Sequence, residues 1–368
     1  MADTARFTAR SGASSAGSQR GRVLALDVAR CLAIIGMVTV NVGPKDDSPG
    51  ASLYLLPHGR ASILFVLLAG IGFSLMTRRV RQRATGRRAM WGALAWRSGL
   101  LLVGGLALQL LDHQANVILP VYAFLFLLAG VLVRARDTVL LTLAGAGVIA
   151  GPMLWLGVQL GRGNPFTGGA PELGDSPAQV LAGVVVTGPY PLITWVGPFA
   201  LGMWLGRRTL TDMRVIRVMA LTGGTVALVA VLAARVVGWV RGGPVGDLSW
   251  ELLLTDAPHG QMPLWLIGGT AASALVLALC LAAERWLHRG PLRVLAPLGQ
   301  LSLTFYVVHL LVLDWVRPWP HDPLQGVVLS AALVVGALAG AWLWRRYWSR
   351  GPLEMVLRAP WTWHGARA

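Results

Sequence analysis

The sequence predicts an all-α, polytopic transmembrane helix bundle of about ten spans with both termini cytoplasmic. Three observations predict it. Hydrophobic residues fill 55% of the 368 positions and charged residues only 13%, about half the charged share of a soluble domain. Mean hydropathy is +0.61. The apolar residues fall in runs close to the ~20 residues that cross a bilayer as a helix. The formal charge of +16 invites a nucleic-acid partner. The arginines, however, sit in short clusters between apolar runs, as membrane topology requires, and nucleic acid is excluded on that ground. Cys31 and Cys280 both lie in apolar spans. No disulfide framework is expected, and no residue spacing marks a metal site.

Residues 1–21 are rich in Ser, Gly, Ala and Arg and read as a disordered cytoplasmic tail. They are not a secretory signal, because no small-residue cleavage site follows and the apolar segment leads into further spans. The transmembrane bundle occupies 22–346 and a cytoplasmic C-terminal segment 347–368. The ten spans are 23–42, 60–77, 92–111, 116–133, 138–160, 189–206, 215–240, 263–283, 294–315 and 324–344.

Alternate loops sort by charge. One set carries Arg6, Arg10, Arg20 and Arg22; Arg78, Arg79, Arg81, Arg83, Arg87 and Arg88; Arg134 and Arg136; Arg207, Arg208, Arg214 and Arg217; Arg285, Arg289 and Arg293; and Arg345, Arg346 and Arg350. The other carries Lys45-Asp46-Asp47, Asp112-His113, Glu172 and Asp175, Asp247, Glu251, Asp256 and His259, and His321-Asp322. The positive-inside rule puts the first set, and both termini, in the cytoplasm. Two outer loops are long, 161–188 and 241–262. Within the first, Pro177–Thr187 is expected as a short helix or a re-entrant segment.

The first span concentrates polarity. Asp27 and Arg30 are three residues apart, so they share a helix face. They either pair structurally or bind a polar ligand head at the cytoplasmic mouth. Asn41, at the outer end, either caps the helix or holds a reacting carbonyl. His58 precedes Arg60 at the start of the second span. The pair supplies a base and a cation, or meets lipid phosphate. His309 lies deep in the ninth span with Ser302 two turns earlier. An ionisable group at that depth is a site candidate or an interhelical hydrogen bond. His259 follows Pro258 in an outer loop. Tyr190 and Trp195 belong to an interfacial aromatic belt or to a cavity rim. Arg97 and Arg235 are expected to snorkel to the surface. No phosphate loop, dinucleotide fingerprint or nucleophile elbow is present.

Leu26-Asp27-Val-Ala-Arg30-Cys-Leu-Ala-Ile-Ile-Gly36-Met37-Val-Thr-Val-Asn41 resembles the first-span signature of membrane acyltransferases related to heparan-α-glucosaminide N-acetyltransferase, and of the YeiB-like family of uncharacterised bacterial membrane proteins. The resemblance continues through Gly59–Gly70, Val117–Phe126, Tyr190–Trp195 with Gly202 and Gly206-Arg207, His259–Leu264, Leu301–His309 and Arg350–Arg358. It implies a bundle of ten or eleven spans, with acetyl-CoA bound from the cytoplasmic side. A loop histidine and the first-span asparagine then act in passing the acetyl group to a sugar amine on the far side. Asn41 stands at that asparagine. His58 stands nearest the histidine, with longer spacing and with Gly59 where an Asp is expected.

The expected function is therefore an inner-membrane acyltransferase that moves an acyl group, acetyl first, from acyl-CoA to a cell-envelope sugar or glycolipid. The alternative is a transporter or flippase without covalent chemistry. Catalytic roles are expected for His58, Asn41, His309 and His259. Substrate contacts are expected from Asp27, Arg30, Arg60, Tyr190 and Trp195, and acyl-CoA phosphate contacts from Arg78, Arg79 and Arg207. No metal is expected. Membrane lipids surround the bundle, and a homodimer is left open.

Overall fold

The computed structural model describes residues 23–43, 57–83, 86–113, 115–163, 169–243, 248–316 and 323–358. The N-tail with its arginines, Lys45-Asp46-Asp47, Asp247 and His321-Asp322 lie outside the described residues, as does the chain beyond Arg358. The described chain is helical and holds no strand. The elements are α1 (Leu24–Val42), α2 (Arg60–Met76), α3 (Arg78–Arg83), α4 (Arg87–Leu108), α5 (Leu119–Leu132), α6 (Asp137–Arg162), α7 (Pro177–Ala182), α8 (Leu192–Leu205), α9 (Met213–Arg241), α10 (Pro263–Ala282), α11 (Glu284–Arg289), α12 (Leu295–Gln300), α13 (Ser302–Val316), α14 (Pro323–Tyr347) and α15 (Pro352–Val356).

The chain is a multi-pass membrane protein, but the span count falls short of ten. Six helices (α1, α4, α6, α9, α10 and α14) are long and apolar enough to cross a bilayer. Two bent pairs raise the number to eight: Pro177–Thr187 with α8, bent by 63°, and Pro291–Gln300 with α13, bent by 80°. The other two predicted spans are α2 and α5, of 17 and 14 residues. At 1.5 Å per residue they reach only about 25 and 21 Å, short of a ~30 Å hydrocarbon core. The segment expected as short helix or re-entrant is the first arm of a bent pair. Ser176 opens it with a capping box: its hydroxyl accepts from the Gln179 N–H, and the Gln179 side chain accepts from the Ser176 N–H.

The centre of the bundle is α1 and α10, whose apolar stretches are 61% and 67% buried, against 17% for α14 and 22% for α9. The exposed face of α9 is apolar (Leu221, Leu228, Leu232, Val236), as lipid contact demands. α1 packs on α2, α10, α12 and α14, and α8 packs on both α2 and α6. Small residues let these helices approach. A methyl on Gly70 of α2 would run into the Phe199 carbonyl of α8, and one on Gly202 of α8 into the Leu67 carbonyl of α2.

Among the described residues, the two sets of loops gather at opposite ends. At the arginine end, Arg207 and Arg208, after α8, both pair with Asp137 at the start of α6 (2.9 and 2.5 Å). Two helix N-termini there are capped by distant carboxylates. Glu284 accepts from the N–H groups of Leu24 and Ala25 at 2.8 and 2.6 Å. Glu354 of α15 accepts from Leu303 and Thr304 at 2.8 and 3.1 Å. At the opposite end lie Asn41, Pro57–Gly59, His113, Tyr190 and His259–Gln261. Short as they are, α2 and α5 run between the ends. α2 starts where Gly59 abuts Trp265 and ends where Ser74 donates to the Met203 carbonyl. α5 starts beside the Tyr306 hydroxyl, and the carbonyls that follow its last turn meet Arg207.

Candidate functional site

Two polar residues from distant parts of the chain meet at the end opposite the arginines. Asn41, in the last turn of α1, donates from Nδ2 to Nε2 of His309 on α13 at 3.4 Å. The polar first span and the polar ninth span thus serve one site. His309 is buried. Its Nδ1 makes no hydrogen bond of good geometry among the described residues. The Tyr306 ring stands edge-on to His309, with centroids 5.3 Å apart, and its hydroxyl accepts from the Ile118 N–H at 3.2 Å.

His259 joins the same chamber from the last outer loop. Its backbone takes φ of +59°, and so does that of Gln261. Left-handed conformations at non-glycine residues are costly and persist where surroundings impose them. Gln261 imposes this one. Its Oε1 accepts from Trp195 Nε1 at 2.9 Å and Thr194 Oγ1 at 3.3 Å. Its Nε2 donates to the carbonyls of Pro189 and His259 at 3.0 and 3.2 Å. Sequence reasoning singled out His259 and missed its clamp, because a loop glutamine carries no signal until its partners are placed. The His259 imidazole is enclosed by the rings of His58 (5.4 Å), Trp265 (5.7 Å) and Tyr190 (6.0 Å). Burial, and secondarily the neighbouring His58, lowers its pKa from 6.5 to about 4. The ring is therefore neutral, with a lone pair available, at physiological pH.

Asn41, His259, His309, Tyr190, Tyr306 and Ser62 border a small cavity of about 50 Å³. A larger cavity of about 270 Å³ opens among α1, α2, α4, α5 and α13, with Arg30, Arg97, Met76 and Leu357 from the arginine end in its wall. Met37, Ser62, Ile118 and Tyr306 border both, so a thin partition separates the two. Ser62 in that partition faces the Tyr190 hydroxyl.

The other predicted site residues are placed less uniformly. His58 stands behind His259 and borders neither cavity. Gly59, where the resembling family has an acid, has φ of +69°, and a side chain there would strike Trp265. Arg60 opens α2 and packs beside Gly269 of α10. Asp27 is committed to structure: Oδ1 accepts from Arg30 at 3.0 Å and Oδ2 from Gln300 Nε2 at 3.0 Å. Arg30 keeps that pairing and still reaches the larger cavity. Trp195 does not line a rim; it is fully buried, with its N–H spent on Gln261. Arg207 is not open to an incoming phosphate. Its guanidinium pairs with Asp137 and donates to the Ala135 carbonyl at 2.7 Å. Arg78 and Arg79 are exposed. Arg97 reaches toward the arginine end, as expected of a snorkelling side chain, and there donates to the Leu357 carbonyl at the cavity mouth.

The C-terminal signature also acquires a role. Gly351 lets α15 lie against α13, because a methyl there would collide with Glu354 and Thr304. The carbonyls of Val356 and Leu357 accept from Trp96 and Arg97. The signature therefore ties the C-terminal segment to the cavity mouth.

Residues 205–364 match a family described as "Protein of unknown function (DUF418)", the family of the YeiB-like proteins. The matched part holds His259, Gln261, His309 and Glu354; Asn41 and His58 lie before it. No curated protein matches the chain.

Proposed function

We propose that the protein is an integral-membrane acyltransferase of the cytoplasmic (inner) membrane. It would move an acyl group, acetyl first, from cytoplasmic acyl-CoA to a cell-envelope sugar or glycolipid. The observation that carries this reading is the meeting of Asn41, His309 and His259 around one small chamber, which shares a wall with a larger cavity from the arginine end. The positive-inside rule assigns the arginine end to the cytoplasm. There Arg78 and Arg79 draw the CoA phosphates, and the thioester arm follows the larger cavity to the partition.

In the chamber, neutral His259 accepts the proton of the acceptor amine or hydroxyl. The freed nitrogen or oxygen bonds to the thioester carbonyl carbon. The oxyanion that develops faces the Asn41 amide, which keeps one N–H beyond its bond to His309. As the tetrahedral intermediate collapses, the carbon–sulfur bond breaks. The CoA thiolate then leaves and recovers the proton from the His259 imidazolium. His58, behind His259, positions the ring rather than touching substrate.

The end-to-end cavities also support the transporter reading, in which an envelope molecule passes the partition unchanged. Thermal unfolding of the purified protein separates the two. Acetyl-CoA at 100 times its dissociation constant adds about 2.7 kcal/mol of apparent stability. The shift falls in an Arg78→Gln/Arg79→Gln double variant. No shift with any acyl-CoA contradicts the acyltransferase and favours transport.

A further inference from the structure

The larger cavity has an unusual pairing of wall and mouth. Its wall is mostly apolar: Leu68, Phe73, Leu94, Leu101, Leu119 and Phe126 contribute. Its volume of about 270 Å³ is nearly twice the roughly 150 Å³ of an apolar cavity that stays dry and takes up benzene. Two cations stand in this wall. Arg30 is neutralised by Asp27. Arg97 is not neutralised by any carboxylate among the described residues. Its Nε donates to the Leu357 carbonyl at 3.3 Å, and its NH1 faces the Met76 sulfur at 2.6 Å. A thioether is a weak acceptor without charge, and a guanidinium has five N–H donors to satisfy. A cation beside an apolar cavity favours a counter-ion there.

We infer that this cavity is a binding site for an anion bearing one linear hydrocarbon chain, the chain lying among Leu68, Phe73, Leu101 and Phe126 and the carboxylate or phosphate head meeting Arg97. Charge complementarity selects the head, because a neutral amphiphile leaves Arg97 without a counter-ion and a cationic one is repelled. Apolar walls select the chain, because each buried CH₂ strengthens binding about fourfold. The volume takes the inner part of one chain, the rest leaving through the open mouth, and has no room for the two of a phospholipid. The inference does not depend on acyl transfer. If that reading holds as well, the chain anion and the thioester arm compete for the same cavity.

The test is thermal unfolding without CoA, in a steroid-based detergent that has no linear chain. The probes are tetradecanoate, dodecyl phosphate, tetradecanol and hexanoate. Tetradecanoate or dodecyl phosphate raises the unfolding temperature, and the larger shift identifies the head group. Tetradecanol and hexanoate give much smaller shifts. Arg97→Gln weakens the anion by about tenfold. Leu101→Trp, which narrows the cavity, weakens the effect, and Arg162→Gln, far from the mouth, leaves it intact. An equal shift with tetradecanol, no shift with either long-chain anion, or a shift that survives both Arg97→Gln and Leu101→Trp overturns the inference. The comparison of chains on the unsubstituted protein decides whether or not a variant folds. Binding of acetyl-CoA without binding of tetradecanoate would refute this inference alone.

Discussion

A histidine held in a left-handed backbone turn and walled by three rings has one chemical consequence, neutrality. Burial brings the His259 pKa down from 6.5 to about 4. The sign of the linked stability follows. Between these values the unfolded chain binds the proton and the folded chain does not, so acid favours unfolding. The His259 contribution is full above pH 6.5 and is lost as pH falls toward 4. The detergent-solubilised protein is therefore expected to unfold at progressively lower temperature across that window. His259→Asn flattens the slope, and the difference between the two profiles isolates this ring from His58 and the other histidines. Identical profiles would show that His259 titrates as it does in the unfolded chain. Asn41 and His309 stand out in the sequence because polar groups within apolar spans are conspicuous, and His259 because it follows Pro258 in a long outer loop. Gln261 and Tyr306 were not, because their roles exist only through partners 66 and 188 residues away.

Helix ends explain residues that composition passes over. Every helix start leaves N–H groups without partners and carries partial positive charge. In α1 and α13 neither residue before the first turn caps it; Glu284 and Glu354 come from elsewhere in the chain to do so. Glu354 also accepts from the Thr304 hydroxyl at 2.6 Å. Glu354→Ala strands two backbone donors and a hydroxyl, and about 2–3 kcal/mol of stability is expected to be lost. Glu354→Gln keeps the acceptor and loses less. Denaturation midpoints in detergent measure both, and a neutral Glu354→Ala would refute the capping role. The capping of α13 matters to the site because the same helix presents Tyr306 and His309. The C-terminal signature was visible as a pattern, but its purpose was not, since the docking of α15 on α13 is a tertiary contact with no local periodicity.

Over the whole molecule, the alternation of arginine-rich and acidic loops agrees with which loops share an end wherever both lie among the described residues. Arg81, Arg97, Arg207 and Arg208 gather with α15 at one end, and the histidine loops at the other. The count of ten spans was less well predicted. Apolar runs of near-bilayer length read as whole crossings, but α2 and α5 are short, and two others are bent at Gly188–Pro191 and near Leu301. Breaks of this kind follow local backbone geometry, which hydropathy averages away. They also matter for function: Tyr190 sits in the first break, and the second comes just before the start of α13. In the proposed reaction an acyl group crosses from the arginine end to the histidine end and is transferred there. The most direct measurement uses inside-out membrane vesicles containing the protein, given acyl-labelled acetyl-CoA on their outer, formerly cytoplasmic, face. Label is expected to appear on envelope sugars or glycolipids in the lumen, and to fall by a factor of about 10²–10⁴ in His259→Ala or Asn41→Ala. Lumenal label that does not change in these variants, or none above vesicles lacking the protein, would contradict it.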